Sequence, residues 1–374
     1  MRDQTRRKMN RLVIIGNGFD LAHGMKTSYH DFIFSYIKTI FKIAEEEGRY
    51  EDALGSVVKT HYWRGPITQH FTKLEDFIGL LPLDYAFTFL DDAPRRETYD
   101  PLLWKIADPF ITYLFTKCQH CGWVDIENEY YSELKKILNI EDAQLKSEKV
   151  RQLNEAFASL RNALEIYLST VTPKDKNTRF RDFIDDAIHP KDVVKPVLSE
   201  WLSVNDCMIL NFNYTDTVTE YIDELNKNRN SPIVVNYIHG ELNSEINPII
   251  FGFGDEMDKE YSKLEDEPIK GFLNYMKSFG YFKNSNYRDL IRFINSEIFQ
   301  VITIGHSCGL SDRTMLNMVF EHDNCRSIKI YYYEYSEGNN YVDLTQEVSR
   351  HFKSKQKMRE RIVPFESSLP MPHV

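Results

Sequence analysis

The stretch from Arg11 to Asp31, RLVIIGNGFDLAHGMKTSYHD, constrains this chain most. Leu12-Val13-Ile14-Ile15 is a short, wholly apolar run ended by Gly16-Asn17-Gly18. A strand apolar at every position must be covered on both faces, which is the situation of a strand inside a parallel sheet. A helical pattern follows, with Thr27 or Ser28 able to cap it and Phe32, Ile33, Tyr36, Ile37 and Ile40 at helical spacing. Strand, glycine turn and helix open a nucleotide-binding α/β unit, because bare glycine backbone can approach a pyrophosphate. GNGFDLA is not the full G-x-G-x-x-G fingerprint. The first motif alone therefore leaves open a phosphate site or a simple tight turn.

Further along, the pattern between about 71 and 200 is mostly helical, with a clear apolar stripe at Leu153, Phe157, Leu160, Leu164 and Tyr167. The α/β rhythm returns with Cys207–Leu210, Pro232–Ile238, Pro248–Phe251, Phe299–Ile304 and Ile328–Tyr335 as strand candidates. Four apolar runs stop at loops of small or polar residues: GNGFD, NFNYT, IHG and IGHSCGLSD. Loops at the carboxyl edge of an open α/β sheet converge even when far apart in sequence, which lifts the first motif above a lone G-x-G. The predicted organisation is a flexible arm at 1–9, an α/β core from 10–54 and 201–360, a helical insertion or cap at 55–200, and a loose tail at 361–374.

Composition narrows the function classes. The 374 residues carry a net charge of −10, which opposes bulk attraction to nucleic acid. No apolar run is long enough to span a bilayer, and no signal-peptide pattern follows the basic arm, so a cytoplasmic setting without a membrane is expected. The five cysteines are scattered; Cys118-Gln119-His120-Cys121 has no second pair to complete a zinc site, and no metal site is expected.

Arg11 to Asp31, through Gly16, Asn17, Gly18, Phe19, Asp20, Leu21, Thr27, Ser28 and Tyr29, resembles the opening signature of the bacteriophage abortive-infection AbiH family. Trp123-Val124-Asp125-Ile126-Glu127 resembles its W-x-D-I-E element. The ordered set of four loops is also similar to the SIR2-like domains of antiphage proteins, sirtuin relatives with a Rossmann-like fold that bind and often hydrolyse NAD. That resemblance implies a SIR2-like parallel-sheet core. It implies that Gly16, Asn17, Gly18, Phe19 and Asp20 cradle the cofactor, and that Gly305 and Ser307 contact its adenosine half. Asp312 either binds ribose or caps the following helix. Asn213 and His239 match the catalytic asparagine and histidine. The chain lacks the four-cysteine module of sirtuins, which speaks against deacylation.

Asparagine and histidine are sufficient for this chemistry, since the amide can orient water and imidazole can accept a proton near neutral pH. The residues alone leave open an Asx turn at Asn213, a core histidine at His239, and only neighbouring roles for His23 and His306. The resulting expectation is an antiphage NAD hydrolase acting on activation. The alternative is a non-catalytic NAD or ADP-ribose sensor in phage defence. The implied partners are NAD or a related nucleotide, a phage-derived trigger and further copies of the chain.

Overall fold

The computed structural model describes residues 9–59, 102–106, 108–117, 123–173, 176–177, 179–195, 201–227 and 229–372. The eight longer strands are β1 (Met9–Ile15), β2 (Arg49–Glu51), β3 (Gly55–Lys59), β4 (Leu102–Ile106), β5 (Val204–Asn211), β6 (Val234–Tyr237), β7 (Phe299–Ile304) and β8 (Cys325–Tyr331). The chain divides into two compact units. The first is Met1–Lys26, Val171–Asp266 and Leu273–Val374; the second is Thr27–Thr170 and Glu267–Phe272.

In the first unit five strands form one parallel sheet in the order β6-β5-β1-β7-β8. All seven residues of β1 are buried: Leu12–Ile15 as their uninterrupted apolar run requires, and Arg11 with its guanidinium held by Gln300 and the carbonyls of Ile184 and Asp186. Alternate residues serve opposite faces. Leu12 and Ile14 join one cluster with Met208, Val301, Ile328 and the helices Asn286–Ser296 and Arg313–Phe320. Val13 and Ile15 join another with Phe19, Phe180, Ile209, Tyr221 and Ile302. Helices on both faces of a parallel sheet make this a Rossmann-like α/β core.

The second unit holds the helix Tyr29–Glu47, in which Ser28 and Asp31 form a reciprocal capping box and Gly48 ends the helix at φ +87°. Its apolar face packs within this unit. Phe32 lies 5.7 Å from Tyr167 and Tyr36 lies 5.8 Å from Phe115, ring centre to ring centre. Tyr130 stacks on Phe157 at 4.2 Å and donates a 2.6 Å hydrogen bond to Asn154. The Asn154 amide in turn holds the carbonyl of Gly271 at 2.9 Å.

Several expectations need correction. Residues 27–54 group with the inserted block, because the apolar face of the Tyr29–Glu47 helix finds its partners there. That block also contains an antiparallel sheet, β2-β3-β4, which begins once Gly48 has ended the helix. Met9 belongs to β1 and is fully buried; the rest of the expected arm lies outside the described residues. Residues 248–251 form no strand, and the span 257–296 contains short helices at Tyr261–Glu265 and Lys277–Gly280 before Asn286–Ser296. Over its described residues, 361–372, the tail is not loose. Val363 donates to Ile328, and Met371 donates to Tyr332, so the segment lies along the outer edge of β8. The Cys118–Cys121 pair lies outside the described residues, and Cys207, Cys308 and Cys325 are buried free thiols. Among the described residues no helix is long and apolar enough to cross a membrane.

Candidate active site

The four motif loops leave the sheet from one row. Ile15 of β1 is in register with Asn211 of β5 and Ile304 of β7, and Asn211 is in register with Tyr237 of β6. The ladder runs one step beyond: Phe212 N–H donates to Ile15 at 2.9 Å, Gly16 to Ile304 at 3.2 Å and Ile238 to Asn211 at 3.2 Å. β1 is central, β5 and β6 extend the sheet to one side, and β7 and β8 extend it to the other. The loops after β1 and β7 therefore flank the topological switch point, where α/β sheets open a crevice.

At that point the glycines serve each other. Gly18 N–H donates to the carbonyl of Gly305 at 2.8 Å. A Cβ on Gly16 would stand 2.6 Å from the Cα of His306, and one on Gly18 would stand 2.8 Å from the Cα of Gly305. Gly305 has φ +66°, and a Cβ there would be 2.2 Å from Phe19 N. The Asn213 amide closes the same seam by donating to the carbonyl of Gly16 at 3.1 Å. Asn211, which sequence reasoning missed, shapes the loop: its side chain accepts from Asn213 N–H and donates to the carbonyl of Thr215, both at 3.1 Å. The Asx turn thus belongs to Asn211.

Asp20 lies inside the five-residue helix Asn17–Leu21 rather than capping it, and accepts from the Thr215 hydroxyl at 2.5 Å. Burial pushes its carboxyl up to about 6, against the opposing pull of hydrogen bonds from Thr215, Thr217 and Asn213. The Phe19 ring does not reach the loop edge. It is fully buried against Phe180, 4.7 Å away, and His23. His23 is a satisfied core residue, held between the Phe19 carbonyl at 2.7 Å and the Tyr221 hydroxyl at 2.5 Å. Asn17 is half-buried and Ser307 is exposed.

A second group of side chains is ionisable and nearly dry. Oδ1 of Asp312 accepts from Lys277 Nζ at 2.8 Å and lies 3.1 Å from His239 Nε2. Its other oxygen lies 3.9 Å from His306 Nε2. Tyr281 places its hydroxyl 3.3 Å from His239 Nε2, and the Phe212 ring stands edge-on to both imidazoles. His239, Lys277, His306 and Asp312 are all buried. Asp312 is the first residue before the helix Arg313–Phe320, yet its carboxylate makes no capping bond there. Burial alone would raise this carboxyl; Lys277, then His239, outweigh burial and hold it well below the usual carboxylate range. Burial pushes His306 down to about 4 despite Asp312, so its ring is neutral at physiological pH. His306 Nδ1 accepts from Cys308 N–H at 2.9 Å, which leaves the ring proton on Nε2, toward Asp312. Nothing in the sequence singled out Lys277. It lies in a segment notable for Tyr and Phe, and burial of a lone lysine has no local signature.

The family described as "Bacteriophage abortive infection AbiH" matches residues 12–334. The chain belongs to the AbiH family. No curated protein matches it. The match spans all four motif loops and the whole His239–Asp312–Lys277 group, and a role in phage abortive infection goes with it. The helices Tyr341–Arg350 and Lys355–Arg361 lie beyond it. Of the residues expected at a site, this AbiH protein brings Gly16, Gly18, Asn213 and Gly305 together in one seam. It joins His239 and Asp312 in one hydrogen-bonded pair. Among its described residues no set of three or more His, Cys, Asp or Glu could hold a metal ion.

Proposed function

We propose that this AbiH-family protein acts in abortive infection by cleaving NAD to nicotinamide and ADP-ribose at the carboxyl edge of its SIR2-like parallel sheet. The observation that carries this reading is the His239–Asp312 pair at 3.1 Å, at the edge where the switch-point loops converge. The ribose–nicotinamide bond has a cationic leaving group, so nicotinamide departs with the bonding pair as a neutral molecule and the sugar passes through an oxocarbenium-like state. Water then forms the new bond to the anomeric carbon and gives up a proton. His239 is placed to take it: Nε2 is engaged by Asp312 and Tyr281, which fixes the ring and leaves Nδ1 as the accepting nitrogen. Asn213 supplies an amide to orient the water or a ribose hydroxyl once it releases Gly16.

Gly16, Asn17, Gly18 and Asp20 would face the pyrophosphate side, and Gly305 and Ser307 the adenosine side. The Gly16 and Gly18 amides now donate to Ile304 and Gly305, so their use on a phosphate requires the seam to part. That fits an enzyme held at rest and released by a phage-derived trigger. The same closure also favours a second reading, a non-catalytic NAD or ADP-ribose sensor.

Mass spectrometry of NAD incubated with the purified chain, with and without lysate of infected cells, tests the proposal. We expect nicotinamide and ADP-ribose from wild type and a loss of at least about 100-fold in His239→Asn. Equal binding of NAD by both proteins with no product from either selects the sensor.

A further inference from the structure

We infer that Lys277 is a positioning residue that offsets the Asp312 charge at His239 by sharing the same carboxylate oxygen. The inference rests on the reading of His239 as the proton acceptor.

The geometry is specific. Lys277 is 1% exposed, and its ammonium reaches Asp312 Oδ1, the oxygen that also holds His239 Nε2. Its stem runs beside Gly254, where a Cβ would stand 3.3 Å from the lysine Cδ, and its own N–H donates to the Phe253 carbonyl at 2.8 Å. Side chain and backbone are thus both fixed. Burying an ammonium is costly unless it is paired, and simple packing would be better served by methionine.

The charges around His239 explain what the lysine does. The groups facing the ring are Asp312, Lys277 through Asp312, His306 and Tyr281. His306 is neutral and Tyr281 is a phenol, so neither balances the carboxylate. Without Lys277 the full negative charge of Asp312 would fall on the imidazole and favour imidazolium, which cannot accept a proton. With Lys277 the carboxylate is neutralised but still orients the ring. Asp312 can therefore hold His239 in place while Lys277 takes up its charge.

Nuclear magnetic resonance of the full chain labelled with ¹⁵N-histidine reads this directly, with the His239 signals assigned by their loss in His239→Asn. Lys277→Met should raise the pH at which this ring titrates by about one unit. Lys277→Arg should stay near wild type, and Lys277→Met combined with Asp312→Asn should return to wild type or below. A folded Lys277→Met with an unmoved ring overturns the inference. If that variant does not fold, Asp312→Asn alone is compared with the double variant. With the Asp312 charge gone, the nearby Lys277 ammonium should lower the titration of the single variant, and equal titrations overturn the inference. The acid limb of NAD cleavage should move with the ring. A shifted ring in a chain that leaves NAD intact even with lysate of infected cells upholds the Lys277 coupling and overturns the hydrolase.

Discussion

The sheet edge presents two neighbouring regions built from opposite materials. The switch-point seam is bare backbone: Gly16, Gly18 and Gly305 in contact, tied by the Asn213 amide. The group around Asp312 is charge: a carboxylate, an ammonium and two imidazoles, all buried. The seam is held by close contact and single hydrogen bonds and can part at modest cost. The charged group is held by mutual compensation and loses more when one member is removed. This difference suits a protein whose chemical groups stay assembled while access to them changes.

The largest effect should fall on the charged group. Asp312→Ala leaves the Lys277 ammonium buried without its carboxylate and should cost about 3–5 kcal/mol in urea unfolding. A cost below about 1 kcal/mol would mean that Lys277 escapes to water and that the group is not closed.

Next comes the seam itself. Gly305→Ala combines a left-handed backbone with a Cβ 2.2 Å from Phe19 N, and should cost about 2–4 kcal/mol. Gly48→Ala, with φ +87° but nothing within 4 Å, isolates the backbone component and should cost about 1 kcal/mol. Equal losses would show that glycine-to-glycine contact adds nothing at the switch point.

Asp20 links the seam to pH. Its folded value of about 6 lies above the ordinary 3.8, so between these values the folded state binds more protons than the unfolded chain. Its contribution is fully present below about pH 4 and is lost as pH rises through about 6, up to about 3 kcal/mol. Asp20→Asn should therefore stabilise the protein at pH 8 by up to about that amount and leave it unchanged at pH 4. His306 has the opposite sign. Its value falls from 6.5 to about 4, so its contribution is present above 6.5 and is lost as pH falls toward 4. Unfolding curves for Asp20→Asn at the two pH values check the assignment, and a pH-independent gain would refute it.

How much of this was legible in the sequence follows from the range of the forces involved. The parallel core could be read because Leu12–Ile15 of β1 are apolar without a break and end at Gly16, signals contained within a few residues. Ser28 announced its helix through local capping chemistry. The partner of that helix could not be read, since an apolar stripe says that a face is buried but not against what. The His239 loop was visible as histidine-glycine after a strand, whereas its pairing with Asp312 and Lys277 depends on side chains 73 and 38 positions away. The glycines of the first motif were read as room for a phosphate. In the folded chain that room is taken by Gly305 and His306, a use with the same local signature. The ordered tail was hidden because its prolines resemble those of a free end, while Met371 and Val363 are held by β8 and its extension.

The smallest expected effect decides most about the seam. Asn213 donates to the Gly16 carbonyl and also hydrogen-bonds the Asp20 carboxyl, so Asn213→Ala should cost about 1–2 kcal/mol in stability. If the amide only ties the loops together, its loss should loosen the seam and NAD cleavage should persist without a trigger. If the amide orients water or ribose after the seam parts, cleavage should fall by tenfold or more in a chain that still folds. Asn213→Asp separates the two further, because a carboxylate cannot donate to the Gly16 carbonyl but can still accept from a ribose hydroxyl. We expect trigger-dependent cleavage to fall in Asn213→Ala and to recover partly in Asn213→Asp. Constitutive cleavage in both variants would reduce Asn213 to a latch, leaving His239 and its charged partners as the whole of the chemical machinery.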